Sequence, residues 1–318
     1  MQQHPMGASS SREGYLRACK DPPVPDSPLH EPVLQWYAER ARDLPWRAPG
    51  TTPWAVLVSE VMLQQTPVAR VEPVYRDWVA RWPTPGDLAR EPAGEALRAW
   101  GRLGYPRRAL RLHQAAVEVV ARHGGELPTA YDELIALPGV GTYTAAAVAT
   151  FAHGARHAVL DTNVRRVLVR AGTGRAEAAP TLTAAERRLG ESLVPEDPSV
   201  AARWAVAVME LGALVCTARA PRCDHCPLRP RCAWQQAGRP AYDGPPRRRQ
   251  GFAGTDRQVR GLLMKILREA PGAVPASDLD VVWADGEQRD RSLLGLLADG
   301  LVVQESDSYR LPGEAAGR

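Results

Sequence analysis

The sequence predicts an all-α protein, and three observations carry the prediction. From residue 29 to 235, apolar residues recur with helical spacing in runs of about 10–16, punctuated by glycine and proline and without sustained alternation. Four cysteines close that stretch as Cys216-x6-Cys223-x2-Cys226-x5-Cys232. Beyond them come three further helical stretches, ending in two short strands around a turn.

In chain order, helices are expected over Glu31–Arg42, Pro53–Gln65, Pro67–Arg81, Gly94–Trp100, Arg107–His123, Thr129–Ala136, Thr142–Phe151, Val164–Ala171, Leu182–Leu193 and Val200–Val215. Thr52 before Pro53 supplies a helix start, because proline at the first helical position loses no needed N–H. Residues 236–255, with the run Arg247–Arg249, read as a linker with a basic face. Helices over Asp256–Glu269, Ala276–Ala284 and Glu287–Ala298 then precede two strands within Leu301–Leu311. Three helices and a hairpin is the order of a winged-helix module, a fold that binds DNA or protein alike.

The length of 318 residues suggests two domains. A hydrophobic content of 44% is ample for buried cores. No apolar run approaches the roughly 20 residues that span a bilayer. The first 28 residues, rich in Ser, Pro and Gly, lack the apolar stretch of a signal peptide and read as a disordered tail. A soluble, cytoplasmic protein with no membrane partner is expected. The net charge of +4 permits a polyanionic partner. Lysine occurs only at Lys20 and Lys265, so arginine supplies nearly all the positive charge.

Besides the four clustered cysteines only Cys19 exists. Closely spaced soft thiolates can wrap zinc or an iron–sulfur cluster. A disulfide framework is disfavoured, since no secretory signal is present and the domain is large enough to fold without staples. Structural zinc favours two paired C-x2-C loops, whereas here one central C-x2-C is flanked by longer spacers. The spacing favours [4Fe–4S] and leaves zinc as the rival.

Leu137-Pro138-Gly139-Val140-Gly141 joins two helical segments. Gly139 and Gly141 free the backbone there and expose N–H groups at a helix start, an arrangement that favours an anion, although a plain tight turn is the commoner use. Asp161 stands just before a helix. It reads as an ordinary N-cap, and equally as a carboxylate kept ionised by the helix dipole and local donors, as a developing sugar cation requires. Glu60 lies in the run Pro53–Gln65, apolar on nearly every face. Burial there would favour its protonated form and suit a general acid; a glutamate at the helix rim is the alternative. One carboxyl kept acidic and one kept ionised is a pairing that breaks glycosidic bonds.

Residues 31–235, about two-thirds of the chain, resemble the helix-hairpin-helix DNA glycosylases, and specifically the MutY-type adenine DNA glycosylases. The resemblance rests on Leu44–Arg47, Ser59–Thr66, Gly101–Tyr105, Leu137–Thr144, Leu160–Arg166 and Glu210–Ala213 running into the cysteines. It implies a six-helix barrel with the helix-hairpin-helix over 53–160, and a small iron–sulfur helical domain from 29–52 and 161–235. The winged-helix-like module, 256–318, follows the linker.

The resemblance also implies roles. Glu60 matches the general acid that protonates adenine. Asp161 matches the carboxylate that stabilises the sugar intermediate, with Asn163 beside it. Tyr143 takes the hairpin position at which bifunctional members carry a nucleophilic lysine. Gln65 and Tyr105 match side chains wedged into the duplex, and Trp46, Arg47 and Leu63 the lining of the adenine pocket. Cys216, Cys223, Cys226 and Cys232 would hold the [4Fe–4S] cluster.

The implied activity is that of a monomeric, monofunctional, nucleoid-associated enzyme of base excision repair, removing adenine opposite 8-oxoguanine or guanine in double-stranded DNA. No lysine lies between Asp21 and Met264, which leaves no Schiff-base nucleophile for an endonuclease III-type lyase. A thymine–guanine mismatch glycosylase is the nearer rival, and a non-catalytic iron–sulfur DNA-binding protein the more distant one. Two departures stand out. Residues 256–311 are too short for the usual lesion-inspecting C-terminal domain, and Thr162 replaces the customary glycine.

Overall fold

The computed structural model describes residues 27–244 and 251–314. Most of the expected N-terminal tail, Cys19, and Arg247–Arg249 lie outside the described residues. The described chain is mostly helical and divides into two compact units.

One unit comprises residues 27–43, 47–51 and 154–242. Its helices are α1 (His30–Arg40) and, later in the chain, α9 (Thr162–Thr173), α10 (Ala184–Ser192), α11 (Pro198–Leu214) and the short α12 (Ala233–Gln236). Val164, Val167, Leu168 and Ala171 of α9 meet Trp204, Ala207, Val208 and Leu211 of α11 in one buried cluster. Gly212 lets the two helices close up, because a Cβ there would lie 2.8 Å from the Asn163 Cβ. Each helix start is chemically marked. Thr183 and Glu186 form a capping box before α10, and Asp197 accepts from the Ser199 and Val200 amides before α11.

The other unit comprises residues 44–46, 52–153, 243–244 and 251–314. It contains α2 (Pro53–Leu63), α3 (Val68–Arg81), α4 (Pro85–Ala89), α5 (Ala93–Trp100), α6 (Arg107–His123), α7 (Tyr131–Ala136) and α8 (Thr142–His153). Eight of the eleven residues of α2, Trp54 and Val56–Met62, are buried. Trp78 stacks edge-on against both Trp82 and Trp100, with ring centroids 4.7 and 5.8 Å away. Removing one such ring from a packed core costs about 3–5 kcal/mol.

The same unit holds the C-terminal elements α13 (Asp256–Glu269), α14 (Ala276–Asp280) and α15 (Gly286–Ala298). Strands β1 (Val274–Pro275), β2 (Val303–Glu305) and β3 (Ser308–Arg310) form an antiparallel sheet in the order β1-β3-β2.

Three local features depart from the sequence expectation. The helix expected to run through Gln65 ends at Leu63, because Gln64 turns extended and Gln65 takes a φ of +54°. The helix expected over Ala276–Ala284 stops at Asp280. Helices α4 and α12 and strand β1 were not expected. α4 begins at a capping box between Thr84 and Asp87, and β1 exists only by pairing with β3, 33 or more residues along the chain.

Candidate active site

Helices α2 and α8 bring Glu60 and Tyr143 together. Glu60 is only 6% exposed, and the Tyr143 hydroxyl donates to its Oε2 at 2.8 Å. The buried reading of Glu60 therefore holds, and the rim reading does not. Along the same pair of helices the Gln64 amide donates to the Thr144 hydroxyl at 3.3 Å. Between α7 and α8, Gly139 has a φ of +80°, and a Cβ there would collide with the Arg111 Cβ at 2.6 Å, so glycine is required on both counts. Gly141 sits exposed at the start of α8 and accepts the first helical hydrogen bond, from the Ala145 amide. The amides of that first turn have no intrahelical acceptor.

Gln65 and Tyr105 share an unusual property: both are exposed non-glycine residues with positive φ, +54° and +48°. Strain of this kind persists only where surrounding structure enforces it. Here the enforcing group is Arg108. Its guanidinium donates to the carbonyls of Val61 (2.8 Å), Met62 (3.1 Å), Gln64 (2.7 Å) and Gly104 (3.0 Å), and to the Thr66 hydroxyl (3.0 Å). One side chain thus ties together the loops that carry Gln65 and Tyr105. Burial pushes the Arg108 pKa down to about 10, which leaves it charged at neutral pH. Nothing in the sequence marked Arg108, one arginine among many.

Trp46 is buried, with its ring edge-on to Tyr75 at 5.3 Å, and Leu63 is half-buried at the end of α2. Arg47 is already engaged. It and Arg42 both donate to the fully buried Glu210 carboxylate, Arg42 in a two-pronged pair at 2.7 and 2.8 Å and Arg47 at 3.1 Å. Burial pushes the Glu210 carboxyl up, but these two arginines outweigh it and hold the group below the usual carboxylate range.

Asp161 and Asn163 belong to the first unit. Asp161 caps α9, accepting from the Val164 amide at 2.6 Å, so the capping reading is correct in geometry. Its other oxygen accepts from the Asn163 side-chain amide at 2.8 Å. Asn163 in turn accepts from Arg166 at 2.8 Å, and the Arg166 Nε donates to the Cys216 carbonyl at 2.6 Å. An unbroken chain of hydrogen bonds runs from the cysteine segment to Asp161. Burial raises the Asp161 pKa, and this outweighs the opposing Val164, Asn163 and Arg166 interactions. The local donors are legible in the sequence around Asp161, whereas its depth of burial is set by the tertiary fold.

Cys216, Cys223, Cys226 and Cys232 line one cavity together with Arg170 and Trp234. Arg170 donates to the Cys216 sulfur at 3.4 Å and to the Thr217 and Ala218 carbonyls, and its guanidinium lies 4.7 Å over the Trp234 ring. Burial pushes the Cys226 thiol up to about 12, with the other three cysteines adding to it. Among the described residues no three Cys, His, Asp or Glu converge tightly enough for a single metal ion.

Residues 58–193 match the HhH-GPD superfamily base excision DNA repair protein family. The chain is 53% identical over 284 residues to an adenine DNA glycosylase of Mycobacterium tuberculosis, covering 89% of this chain and 93% of that protein. It belongs to the HhH-GPD superfamily, as a MutY-type member. Another adenine DNA glycosylase, of Mycolicibacterium smegmatis, is 52% identical over 89% of this chain and 95% of its own length. The solved structure of a thermostable thymine-DNA glycosylase superposes with a TM-score of 0.58 at 27% identity, over 65% of this chain and 94% of that one. The HhH-GPD match takes in the second half of α2 with Glu60, the hairpin around Gly139, and Asp161; no helix among the described residues is long and apolar enough to cross a membrane.

Proposed function

We propose that this protein is a monofunctional adenine DNA glycosylase of base excision repair, acting on double-stranded DNA in the cytoplasm, at the nucleoid. Its substrate is adenine mispaired with 8-oxoguanine or guanine. The observation that carries the reading is the Tyr143–Glu60 hydrogen bond within an HhH-GPD chain that is 53% identical to an adenine DNA glycosylase. A buried carboxyl is available as proton donor, and the neighbouring hairpin position is filled by a phenol in place of an amine.

Glu60 protonates the purine as the C1′–N9 bond breaks, so the bonding electrons leave with neutral adenine. The Asp161 carboxylate supports the sugar cation, water adds at C1′, and its proton leaves to solvent. The product is an abasic site. A flipped base is cheapest to extrude from a mispair. Gln65 and Tyr105, on the loops tied by Arg108, are the side chains we assign to the vacated stack, and Trp46 and Leu63 to the base pocket. The helix-hairpin-helix start at Gly139–Gly141 holds a phosphate and so positions the chain without reading sequence.

The four cysteines suit a [4Fe–4S] cluster better than zinc, because all four line one cavity and a single central C-x2-C is flanked by longer spacers. The group would be a structural staple between α9, α11 and the cysteine segment, with each thiolate neutralised by iron. We read the helices of 53–160 as the six-helix barrel, the cysteine-bearing unit as the iron–sulfur domain, and residues 256–314 as a winged-helix-like module.

The test is a single-turnover assay on a duplex with one mispair, with products resolved before and after alkali. Adenine release from A·8-oxoG, with strand breakage only after alkali, is expected. Similarity to a thymine-DNA glycosylase gives the rival reading a definite form: faster processing of T·G than of A·8-oxoG would put it in place of ours.

A further inference from the structure

Two guanidinium groups lie over the Tyr105 ring. One is Arg108, 5.6 Å from the ring centroid. The other, Arg257 at 4.8 Å, comes from the first turn of α13, more than 150 residues along the chain. The Tyr105 ring is 44% exposed, and Arg257 is exposed beside it.

The charges around Arg257 are otherwise matched. Asp256 pairs with Arg291 and Gln288, Asp299 with Arg260 and Arg107, and Glu314 with Arg98. Among the described residues no carboxylate forms an ion pair with Arg257. Arg257 thus carries a charge that no described carboxylate neutralises.

The C-terminal elements are also fastened to the two helices that flank the Tyr105 loop. On α5, the Gly94 amide donates to the Pro312 carbonyl at 2.7 Å, and a Cβ at Gly94 would lie 2.9 Å from that of Leu311. Arg98 grips Glu314 at 2.6 Å and the Arg268 carbonyl. On α6, Arg107 pairs with Asp299 at 3.2 Å. The loop itself carries the exposed Arg102, whose carbonyl accepts from Arg70. Arg108 and Arg257 thus place positive charge over one exposed aromatic ring, with the exposed Arg102 on the same loop, which is the chemistry of a phosphate backbone beside a stacking side chain.

We propose that Arg257 is a DNA-contacting residue: it braces the Tyr105 ring and binds a backbone phosphate beside the point where that ring enters the duplex, which makes the C-terminal module part of the DNA-reading surface. This rests on the assignment of Tyr105 as a duplex-probing side chain. It gives the module a specific contribution in place of a general affinity for nucleic acid.

The test uses the full chain, with Arg257→Gln and Arg257→Lys, and a fluorescent duplex carrying one A·8-oxoG pair. Binding is measured across salt concentrations, beside single-turnover adenine release and thermal melting. Losing one phosphate contact lowers the slope of log affinity against log salt by about 1. Arg257→Gln is expected to show that loss with an unchanged melting temperature, and Arg257→Lys to restore the slope. In a Tyr105→Ala background, Arg257→Gln should slow adenine release by less than it does alone, since coupled residues are not additive. A wild-type slope in Arg257→Gln, or tighter binding, overturns the inference. A wild-type chain that bound the duplex but released no adenine would sink the activity assignment instead, and the salt slope would still judge Arg257.

Discussion

Arg108 donates to the Gln64 carbonyl at 2.7 Å, fixing the residue immediately before Gln65. The same guanidinium reaches Gly104, immediately before Tyr105, so two loops forty residues apart are set by one side chain. Arg108→Gln is expected to lower stability by on the order of 2 kcal/mol, because several buried carbonyls lose their donor. Adenine release should fall further than stability alone explains, because both probing residues lose their enforced backbone. Arg108→Lys keeps the charge but not the fork of donors, and should recover only part of each. Denaturant titration and single-turnover kinetics on the same preparations check both.

Tyr143→Phe removes one hydrogen bond to Glu60 and leaves the ring. A loss of on the order of tenfold in the rate of adenine release is expected, about the value of one hydrogen bond to a buried carboxyl. Tyr143→Lys should do something different in kind. An amine at that hairpin position can attack C1′, so a borohydride-trappable covalent complex with DNA should appear where the wild type gives none.

The chain Asp161–Asn163–Arg166–Cys216 predicts that disturbance at the cysteine segment reaches the carboxylate. Arg166→Ala should cut adenine release by about 10–100-fold, the range in which supporting partners of a reactive centre act. Duplex binding should change much less. Equal losses in both would mean that Arg166 merely holds the fold.

Glu210 makes the pH behaviour testable. Its folded pKa lies below the ordinary carboxylate range, so its stabilising effect is present above that range and lost as pH falls through the lowered folded value. Glu210→Gln should therefore cost about 3 kcal/mol near neutral pH, where Arg42 and Arg47 lose their counter-charge. The gap from wild type should shrink steadily as the solution is acidified below the ordinary carboxylate range. Urea denaturation at a series of pH values measures it.

Iron and acid-labile sulfide analysis tests the cysteine cavity. About four of each per chain is expected, with no zinc in proportion. Zinc at one per chain without sulfide would overturn the cluster.

How much of this was written in the sequence depends on the range of the interaction. Asp161 as a helix cap was legible, since the signal is local: an acid just ahead of an apolar periodic run. The burial of Glu60 was legible for the same reason, being set by its own helix. The Tyr143–Glu60 bond spans 83 residues, and no local pattern encodes it. Arg108 was invisible because its five acceptors are backbone and hydroxyl oxygens on two other segments, and Arg107 next to it looks the same in sequence but pairs with Asp299. Arg47 was assigned to a base pocket by resemblance; its two-nitrogen contact with Glu210 emerges only when α11 is in place.

The measurement that bears most directly on the account is the single-turnover rate of adenine release from A·8-oxoG by wild type and by Glu60→Gln, at matched folding and matched duplex binding. The account predicts a loss of about 10²–10⁴-fold, the contribution of a positioned proton donor. An unchanged rate would contradict it, because the buried carboxyl held by Tyr143 would then have no part in breaking the bond.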